Sequence, residues 1–123
     1  MKILPIVYVT DMNSAIEFYT ALGLKLDYQQ RNDMWTELGS GNQMLALHFA
    51  SQLPEKAHGR VELAMRATEP LEDILVRLQQ AGIEPHRGIA DEAFGRSIQV
   101  QDPDGMVIQI SEIDGDLTSQ QGK

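Results

Sequence analysis

The chain has 123 residues, enough for one hydrophobic core, and its lack of cysteine excludes disulfides, thiolate nucleophiles and cysteine-based zinc sites. Ten basic against eighteen acidic residues give a formal net charge of −8, which disfavours binding to nucleic acid or to an anionic membrane surface. No apolar run approaches the roughly 20 residues that cross a bilayer, and the N-terminus does not have the pattern of a signal peptide. We therefore expect a cytoplasmic protein that binds neither nucleic acid nor membrane.

The first half of the sequence predicts a strand, a helix and three further strands. The segment 3–9 is rich in β-branched residues, and the Thr10-Asp11 pair after it is typical of a helix N-terminus. Apolar residues at helical spacing then predict a helix over 12–22. Three extended segments follow at 24–30, 34–38 and 43–49, and a tight hairpin loop at 39–42 joins the last two.

The second half of the sequence repeats this order after a polar connector at 50–60. A strand is predicted over 61–67, and Thr68-Glu69-Pro70 predict a cap and the start of a helix over 71–81. Strands are then predicted at 83–89, 96–101 and 106–112, with the DPDG turn at 102–105 between the last two. Since one βαβββ unit alone leaves a strand face uncovered, two units must pack together or pair with another chain.

The phrase VYVTDMNSAIEFYTALGLKL at 7–26, the DPDG hairpin and the paired βαβββ order resemble the vicinal oxygen chelate superfamily. That superfamily includes glyoxalase I, extradiol dioxygenases and bleomycin-resistance proteins. The resemblance implies an α+β fold in which two paired βαβββ modules form a curved mixed sheet with the helices on its outer face. It also implies a single domain over 1–113, with modules at about 3–53 and 60–113, and a homodimer. The polar residues 114–123 are expected to form a C-terminal tail.

The resemblance also bears on metal binding, because metal-dependent relatives place His, Glu or Gln ligands on the first and last strands of each module. Residue by residue, these positions correspond to Leu4, Ala46, Arg60 and Gln109. Leucine and alanine have no donor atoms, and a guanidinium repels a cation, whereas a divalent site needs at least three O or N donors. We therefore expect no metal and no other cofactor. A rearranged set of His48, Glu62 and Gln109 is the alternative.

Alternation along the strands predicts one aliphatic face and one face that mixes polar and aromatic side chains, as small-molecule pockets do. If the cup faces follow the superfamily, the resemblance implies that the ligand-binding residues on the second face are Tyr8, Trp35, Glu37, His48, Arg60, Glu62, Gln99 and Gln109. Two interpretations of Gln109 stay open: its amide bonds a neighbour such as Arg60, or it contacts a ligand. Trp35 either packs structurally or stacks on a planar or cationic ligand.

These observations favour a metal-free small-molecule binding protein of the glyoxalase/bleomycin-resistance type, with an aromatic or cationic ligand held in the sheet cup. The alternative is a glyoxalase-like lyase or isomerase, or a dioxygenase-type enzyme. Such an enzyme would use a displaced metal site or His48 and Glu62 as an acid–base pair. A third interpretation is an accessory domain with no small-molecule role. The sequence contains no phosphate-binding glycine loop and no dinucleotide fingerprint.

Overall fold

The computed structural model describes residues 3–53 and 62–113 of the chain, which separates into two compact units, Met1–His58 and Gly59–Lys123. The described part of the first unit forms β1 (Ile6–Val9), α1 (Met12–Ala21), β2 (Lys25–Gln29), β3 (Trp35–Ser40) and β4 (Gln43–Phe49). That of the second unit forms β5 (Ala64–Arg66), α2 (Leu71–Gln80), β6 (Arg87–Glu92), β7 (Gly95–Gln101) and β8 (Val107–Ile113). Neither of these helices is long and apolar enough to span a membrane.

Each unit contains a mixed four-stranded sheet with the same topology. The strand order is β1-β4-β3-β2 in the first unit and β5-β8-β7-β6 in the second. In both sheets, the first and last strands of the unit pair in parallel, and the remaining neighbours pair antiparallel. The α+β class and the two predicted βαβββ modules are therefore confirmed.

Several strands differ in their bounds from the sequence prediction. The strand predicted over 3–9 is observed only over Ile6–Val9, and the strand predicted over 34–38 continues to Ser40, into the loop predicted over 39–42. The strand predicted over 83–89 begins only at Arg87 and continues to Glu92, so its predicted bounds are wrong. Pro85 has no backbone N–H for a ladder hydrogen bond, and the bond that follows it runs from the His86 N–H to the Gln99 carbonyl at 2.8 Å. The strand predicted over 61–67 is observed only over Ala64–Arg66, and residue 61 lies outside the described residues.

Each sheet has one buried face. In the first unit, this face and helix α1 bury Val9, Ala15, Phe18, Tyr19, Leu38, Leu45 and Leu47. In the second unit, the buried residues are Leu71, Ile74, Leu78, Ile98, Val100, Ile108 and Ile110. The strand residues in these two sets follow the predicted two-residue alternation, because successive strand side chains point to opposite faces. The other face of each sheet therefore holds those predicted ligand-binding residues that lie in strands, namely Tyr8, Trp35, Glu37, His48, Gln99 and Gln109.

The two helices are capped in different ways. The Asp11 side chain accepts a hydrogen bond from the Ser14 N–H at 3.1 Å, as the sequence predicts, and this bond lowers the pKa of Asp11. Helix α2 has no such local cap, because Pro70 stands at its N-cap position, so the cap predicted from Thr68-Glu69-Pro70 is wrong. Instead, the first helical N–H, that of Leu71, donates to Oε2 of Glu112 on β8 at 3.1 Å.

Arg96 on β7 extends this cap into an ion-pair network. Its Nε donates to Glu112 Oε1 at 2.8 Å, and its Nη1 donates to Glu72 Oε2 at 2.7 Å. The Arg96 guanidinium lowers the pKa of Glu72 to about 2, mainly through these hydrogen bonds, and the two carboxylates raise the pKa of Arg96. The network joins the first turn of α2 to the sheet of its own unit.

The DPDG turn at 102–105 is held by its first aspartate. The Asp102 side chain is buried, and its Oδ1 accepts hydrogen bonds from the Asp104 N–H at 3.1 Å and the Met106 N–H at 2.8 Å. Gly105 has a φ of 96°, which side-chain-bearing residues rarely adopt. The turn therefore fixes the residue at which β8 begins.

Candidate functional site

The open face of the first unit is the sheet face that points away from its buried core. Cross-strand pairing arranges its side chains in two rows, because directly paired residues share a face. The first row consists of Ile6, Ala46, Glu37 and Tyr28. The second row consists of Tyr8, His48 and Trp35. Aromatic rings and one carboxylate thus lie side by side on this face.

Tyr8, His48 and Trp35 form an aromatic cluster across strands β1, β4 and β3. The Tyr8 and His48 ring centroids are 5.1 Å apart with an interplanar angle of 55°. The Trp35 and His48 centroids are 5.7 Å apart with an angle of 61°. Trp35 and His48 are half-buried, whereas Tyr8 is 43% exposed. The cluster is therefore ordered by its own ring contacts and still presents aromatic surface to a ligand.

Glu37 lies beside the aromatic cluster and fixes the orientation of the indole. The Trp35 Nε1–H donates to Glu37 Oε2 at 2.8 Å, which is possible because residues two apart on a strand share a face. In the described part of the chain, Glu37 Oε1 has no hydrogen-bond or ion-pair partner. Lys25 pairs with Gly39 at the edge of the same face but makes no ion pair with Glu37. One carboxylate oxygen thus stays available to a donor.

The open face of the second unit also has two rows, with different chemistry. The first row consists of Ala64, Gln109, Gln99 and Arg87. The second row consists of Arg66, Ser111, Ser97 and Ala90. These rows contain amides, hydroxyls and guanidinium groups, and they contain no aromatic ring. The two open faces are therefore suited to different kinds of ligand group.

Arg87, Ser97 and Glu92 form a network that the sequence did not predict. Arg87 Nη2 donates to Ser97 Oγ at 2.8 Å, and Nη1 donates to the Gly88 carbonyl at 2.8 Å and the Ser97 carbonyl at 3.3 Å. Ser97 Oγ in turn donates to Glu92 Oε1 at 3.0 Å, and Ser97 is fully buried. The contact depends on a register shift between Arg87 and Ala90, for which the sequence carries no local signal.

The structure groups the predicted ligand-binding residues by unit. Four of them, Tyr8, Trp35, Glu37 and His48, lie together on the open face of the first unit. In the second unit, Gln99 and Gln109 are direct cross-strand partners, whereas Glu62 is exposed and precedes β5. Arg60 lies outside the described residues. The binding role of these residues stays a prediction.

Ala46 and Gln109, the two predicted metal positions that lie in strands, have partners on the first strand of their unit that supply no further donor atom. The register places Ile6, rather than Leu4, directly beside Ala46, and it places Ala64 beside Gln109. Of these side chains only the Gln109 amide has a donor atom, whereas a divalent ion needs several O or N ligands. Within residues 3–53 and 62–113, no group of three or more His, Asp or Glu side chains is placed to hold a metal ion.

A shallow depression of about 510 Å³ lies at the end of β2 in the first unit, lined by Tyr28, Gln29, Gln30, Arg31 and Asn32. It is open to solvent and adjoins the first row only through Tyr28. Ligand pockets usually bury most of the ligand surface, so an open depression of this kind has no catalytic or binding significance by itself. The aromatic cluster and the neighbouring Glu37 are therefore the stronger candidate site.

Comparisons with known proteins agree with this fold. The model of the Glyoxalase/Bleomycin resistance protein/Dioxygenase superfamily matches residues 2–110. A virulence protein from Salmonella typhimurium is 28% identical, with a TM-score of 0.66 over 90% of this chain and 94% of that one. A glyoxalase/bleomycin resistance protein/dioxygenase from Alicyclobacillus acidocaldarius is 16% identical, with a TM-score of 0.69 and coverages of 94% and 92%. A lactoylglutathione lyase from Agrobacterium tumefaciens is 21% identical, with a TM-score of 0.65 and coverages of 95% and 95%. No curated protein matches the sequence significantly.

Proposed function

The chain belongs to the Glyoxalase/Bleomycin resistance protein/Dioxygenase superfamily, and from this premise we propose that the open face of its first unit binds a planar, cationic small molecule without a metal ion. Membership alone does not decide the activity, since one fold carries several chemistries. The observation that carries the proposal is the aromatic cluster of Tyr8, His48 and Trp35 next to the carboxylate of Glu37.

The aromatic surface of the cluster supports the proposal that the ligand is planar. A cation or an electron-poor ring over the face of a tryptophan or tyrosine gains about 0.5–2 kcal/mol, and the gain is larger when water is excluded. Trp35 is half-buried, and its hydrogen bond to Glu37 holds the indole in one orientation. Because little side-chain freedom is then lost on binding, the entropic cost of association is reduced.

The negative charge of Glu37 and of the protein as a whole supports the proposal that the ligand is cationic. Glu37 Oε1 is available to a ligand N–H or to a fixed positive charge, and the net charge of −8 attracts cations to the protein as a whole. Lys25 at the edge of the same face opposes this attraction, but it stands beyond Gly39 rather than within the aromatic row. The local balance therefore favours a cation beside Glu37.

The donor chemistry of the strand pairs supports the metal-free part of the proposal. The positions at which metal-dependent relatives are expected to have ligands are Leu4, Ala46, Arg60 and Gln109, and of these side chains only the neutral Gln109 amide could coordinate a cation. The likeness to a lyase at 21% identity shows a shared fold and carries no activity to this chain. The expected homodimer stays a prediction, and analytical ultracentrifugation tests it.

Isothermal titration calorimetry with two matched probes tests the proposal. The 1-methylquinolinium ion is planar and cationic, whereas quinoline has nearly the same shape and is neutral at pH 7. We expect 1-methylquinolinium to bind more tightly, and Glu37→Gln to weaken it about fivefold while leaving quinoline unchanged. Trp35→Phe should weaken both probes. Glu17→Gln, an exposed substitution of the same kind on α1, is the control and should change neither.

Equal affinity for the two probes, or equal effects of Glu37→Gln and Glu17→Gln, would contradict the electrostatic part of the proposal. Binding that survives Trp35→Ala unchanged would show that the ligand lies elsewhere. Elemental analysis of tag-free protein purified without chelator tests the metal-free part. We expect Zn, Ni, Fe and Mn well below one equivalent per chain, and a stoichiometric metal would support the enzyme alternative instead.

A further inference from the structure

The turn between β2 and β3 lies next to the open face of the first unit and carries an exposed arginine, Arg31. We propose that this turn binds the carboxylate of a zwitterionic small molecule, whose planar cationic end lies at Glu37 and the aromatic cluster. The inference rests on the function proposed for the first unit and narrows its class of ligand. The depression of about 510 Å³ at the end of β2 is the space that the carboxylate end would enter.

Tyr28 connects the depression to the proposed cation site. It is the direct cross-strand partner of Glu37, and it lines the depression together with Arg31 and Asn32. Directly paired side chains have Cβ atoms about 4.5–5.5 Å apart, and three further extended residues span roughly 10 Å. Tyr28 is 51% exposed, so a ligand bound at Glu37 can extend over its ring towards Arg31. The depression is too open to enclose a whole ligand, but it can receive one end of a ligand that is bound beside it.

The Arg31 guanidinium is available to an anion. In the part of the chain that the structure describes, this side chain donates no hydrogen bond and makes no ion pair. Arg96, by contrast, is held between the carboxylates of Glu72 and Glu112. A guanidinium presents its N–H donors in a planar fork that matches the two oxygens of a carboxylate. A ligand carboxylate can therefore form two parallel hydrogen bonds with Arg31 without displacing a protein partner described here.

The backbone that carries Arg31 is ordered by hydrogen bonds within the turn. The Asp33 N–H donates to the Gln30 carbonyl at 3.1 Å, and the Gln30 N–H donates to the Trp35 carbonyl at 3.0 Å. The Gln29 side chain donates to Asp33 Oδ1 at 2.9 Å, and Asp33 has a φ of 57°, which aspartate tolerates better than most residues. Because the turn is ordered before binding, less backbone freedom is lost when Arg31 contacts a ligand.

The charges around the turn determine which anion fits. Lys25 lies at the other end of β2 and attracts an anion, whereas Asp27 and Asp33 repel one, as does the net charge of −8. A free anion therefore gains little, but an anion tethered to a cation at Glu37 has a high effective concentration at the turn. A carboxylate carries one negative charge, whereas a phosphate monoester carries about 1.5–2 and is repelled more strongly. These charges favour a zwitterion with a carboxylate.

Isothermal titration calorimetry with 1-(5-carboxypentyl)quinolinium and its methyl ester tests the inference. Both probes have the same cationic ring and the same chain, but only the acid carries a carboxylate at pH 7. Without a site for this carboxylate, the ester should bind at least as tightly, because its net positive charge suits an acidic protein. We expect the acid to bind about threefold more tightly instead. The acid, but not the ester, should also shift the Arg31 Nε–Hε signal in ¹H–¹⁵N spectra in a saturable manner.

Two variants and a shorter probe locate the carboxylate. Arg31→Gln should remove the preference for the acid without weakening the ester. Arg77→Gln removes the same charge from α2 in the second unit, where Arg77 pairs with Glu69, and this control should keep the preference. 1-(Carboxymethyl)quinolinium has a chain too short to reach the turn, so it should show no advantage over its own methyl ester. Preserved dispersion of the backbone signals shows that each variant is folded.

Three outcomes would overturn the inference. The first is an ester that binds the parent protein at least as tightly as the acid. The second is a preference for the acid that is lost in Lys25→Met rather than in Arg31→Gln, which would place the carboxylate at the other end of β2. The third is a lack of binding by 1-methylquinolinium, which would overturn the function proposed for the first unit as well. Binding of 1-methylquinolinium without a preference for the acid overturns this inference alone, so the two failures are distinguishable.

Discussion

The two units share a backbone plan, yet their open faces carry different chemistry at equivalent ladder positions. Glu37 pairs with Ala46 in the first unit, and Gln99 pairs with Gln109 at the corresponding positions of the second. One row along, the aromatic pair of Trp35 and His48 in the first unit corresponds to a pair of serines in the second. Apart from Thr36, the buried faces of the same strands are aliphatic in both units. One face of each sheet thus determines the fold, and the other is free to differ.

The largest effect should come from the faces that the units have in common. Leu47 and Ile110 are buried at equivalent positions of β4 and β8, with 0% and 2% exposure. Truncation to alanine removes buried methyl groups and leaves a cavity, so Leu47→Ala and Ile110→Ala should each lower the free energy of unfolding by about 2–5 kcal/mol. Urea unfolding followed by circular dichroism measures this loss. If Gln99→Ala on the open face lowers the free energy of unfolding by as much, the buried face does not determine stability more than the open face does.

A smaller loss of stability should follow from removing Glu112, the long-range cap of α2. Glu112 accepts from the Leu71 N–H and from Arg96, so Glu112→Ala removes two interactions of a half-buried carboxylate. We expect the free energy of unfolding to fall by about 1–3 kcal/mol. Glu112→Gln keeps an oxygen for the Leu71 N–H and should have an intermediate effect. If both variants unfold at the same urea concentration as the parent protein, the long-range cap contributes nothing.

Acid should weaken the second unit through the ion pair at the start of α2. The pKa of Glu72 lies at about 2, below its ordinary value of 4.5, because Arg96 bonds the charged carboxylate. The ion pair therefore contributes its full stabilisation of the folded state above pH 4.5, and this stabilisation is lost as the pH falls toward 2. The difference in urea midpoint between the parent protein and Glu72→Gln should shrink over this range. The same difference for Glu17→Gln is the control, and a parallel decrease there would contradict the assignment.

The smallest effect concerns the charge at the edge of the first unit's open face. Lys25 lies on the same face as Glu37, two ladder pairs beyond it, and opposes a cationic ligand. Lys25→Met keeps a long apolar side chain without the charge, and it should strengthen 1-methylquinolinium binding about twofold at low salt. Added salt should remove this difference. A gain of the same size for quinoline would show that the effect is steric.

Local signals in the sequence account for most of the fold and for part of the site. Alternation predicts which residues of β4 and β8 face the core, and Asp11 marks the start of α1, because these features depend on neighbours in the chain. The cap of α2 depends on Glu112, which lies 41 residues beyond Leu71, so no local pattern reveals it. The pairing of Gln99 with Gln109 likewise follows from strand register, which the sequence specifies only through the complete sheet.

The turn before β8 has a consequence for the chemical ageing of the protein. An Asp-Gly bond isomerises when the glycine nitrogen attacks the aspartyl side-chain carboxyl and closes a succinimide ring. At Asp104-Gly105 that nitrogen is engaged, since the Gly105 N–H donates to the Asp102 carbonyl at 2.9 Å. The Asp104 N–H is held as well, by the Asp102 side chain at 3.1 Å. The buried aspartate that shapes the turn therefore also slows the formation of isoaspartate at the bond beside it.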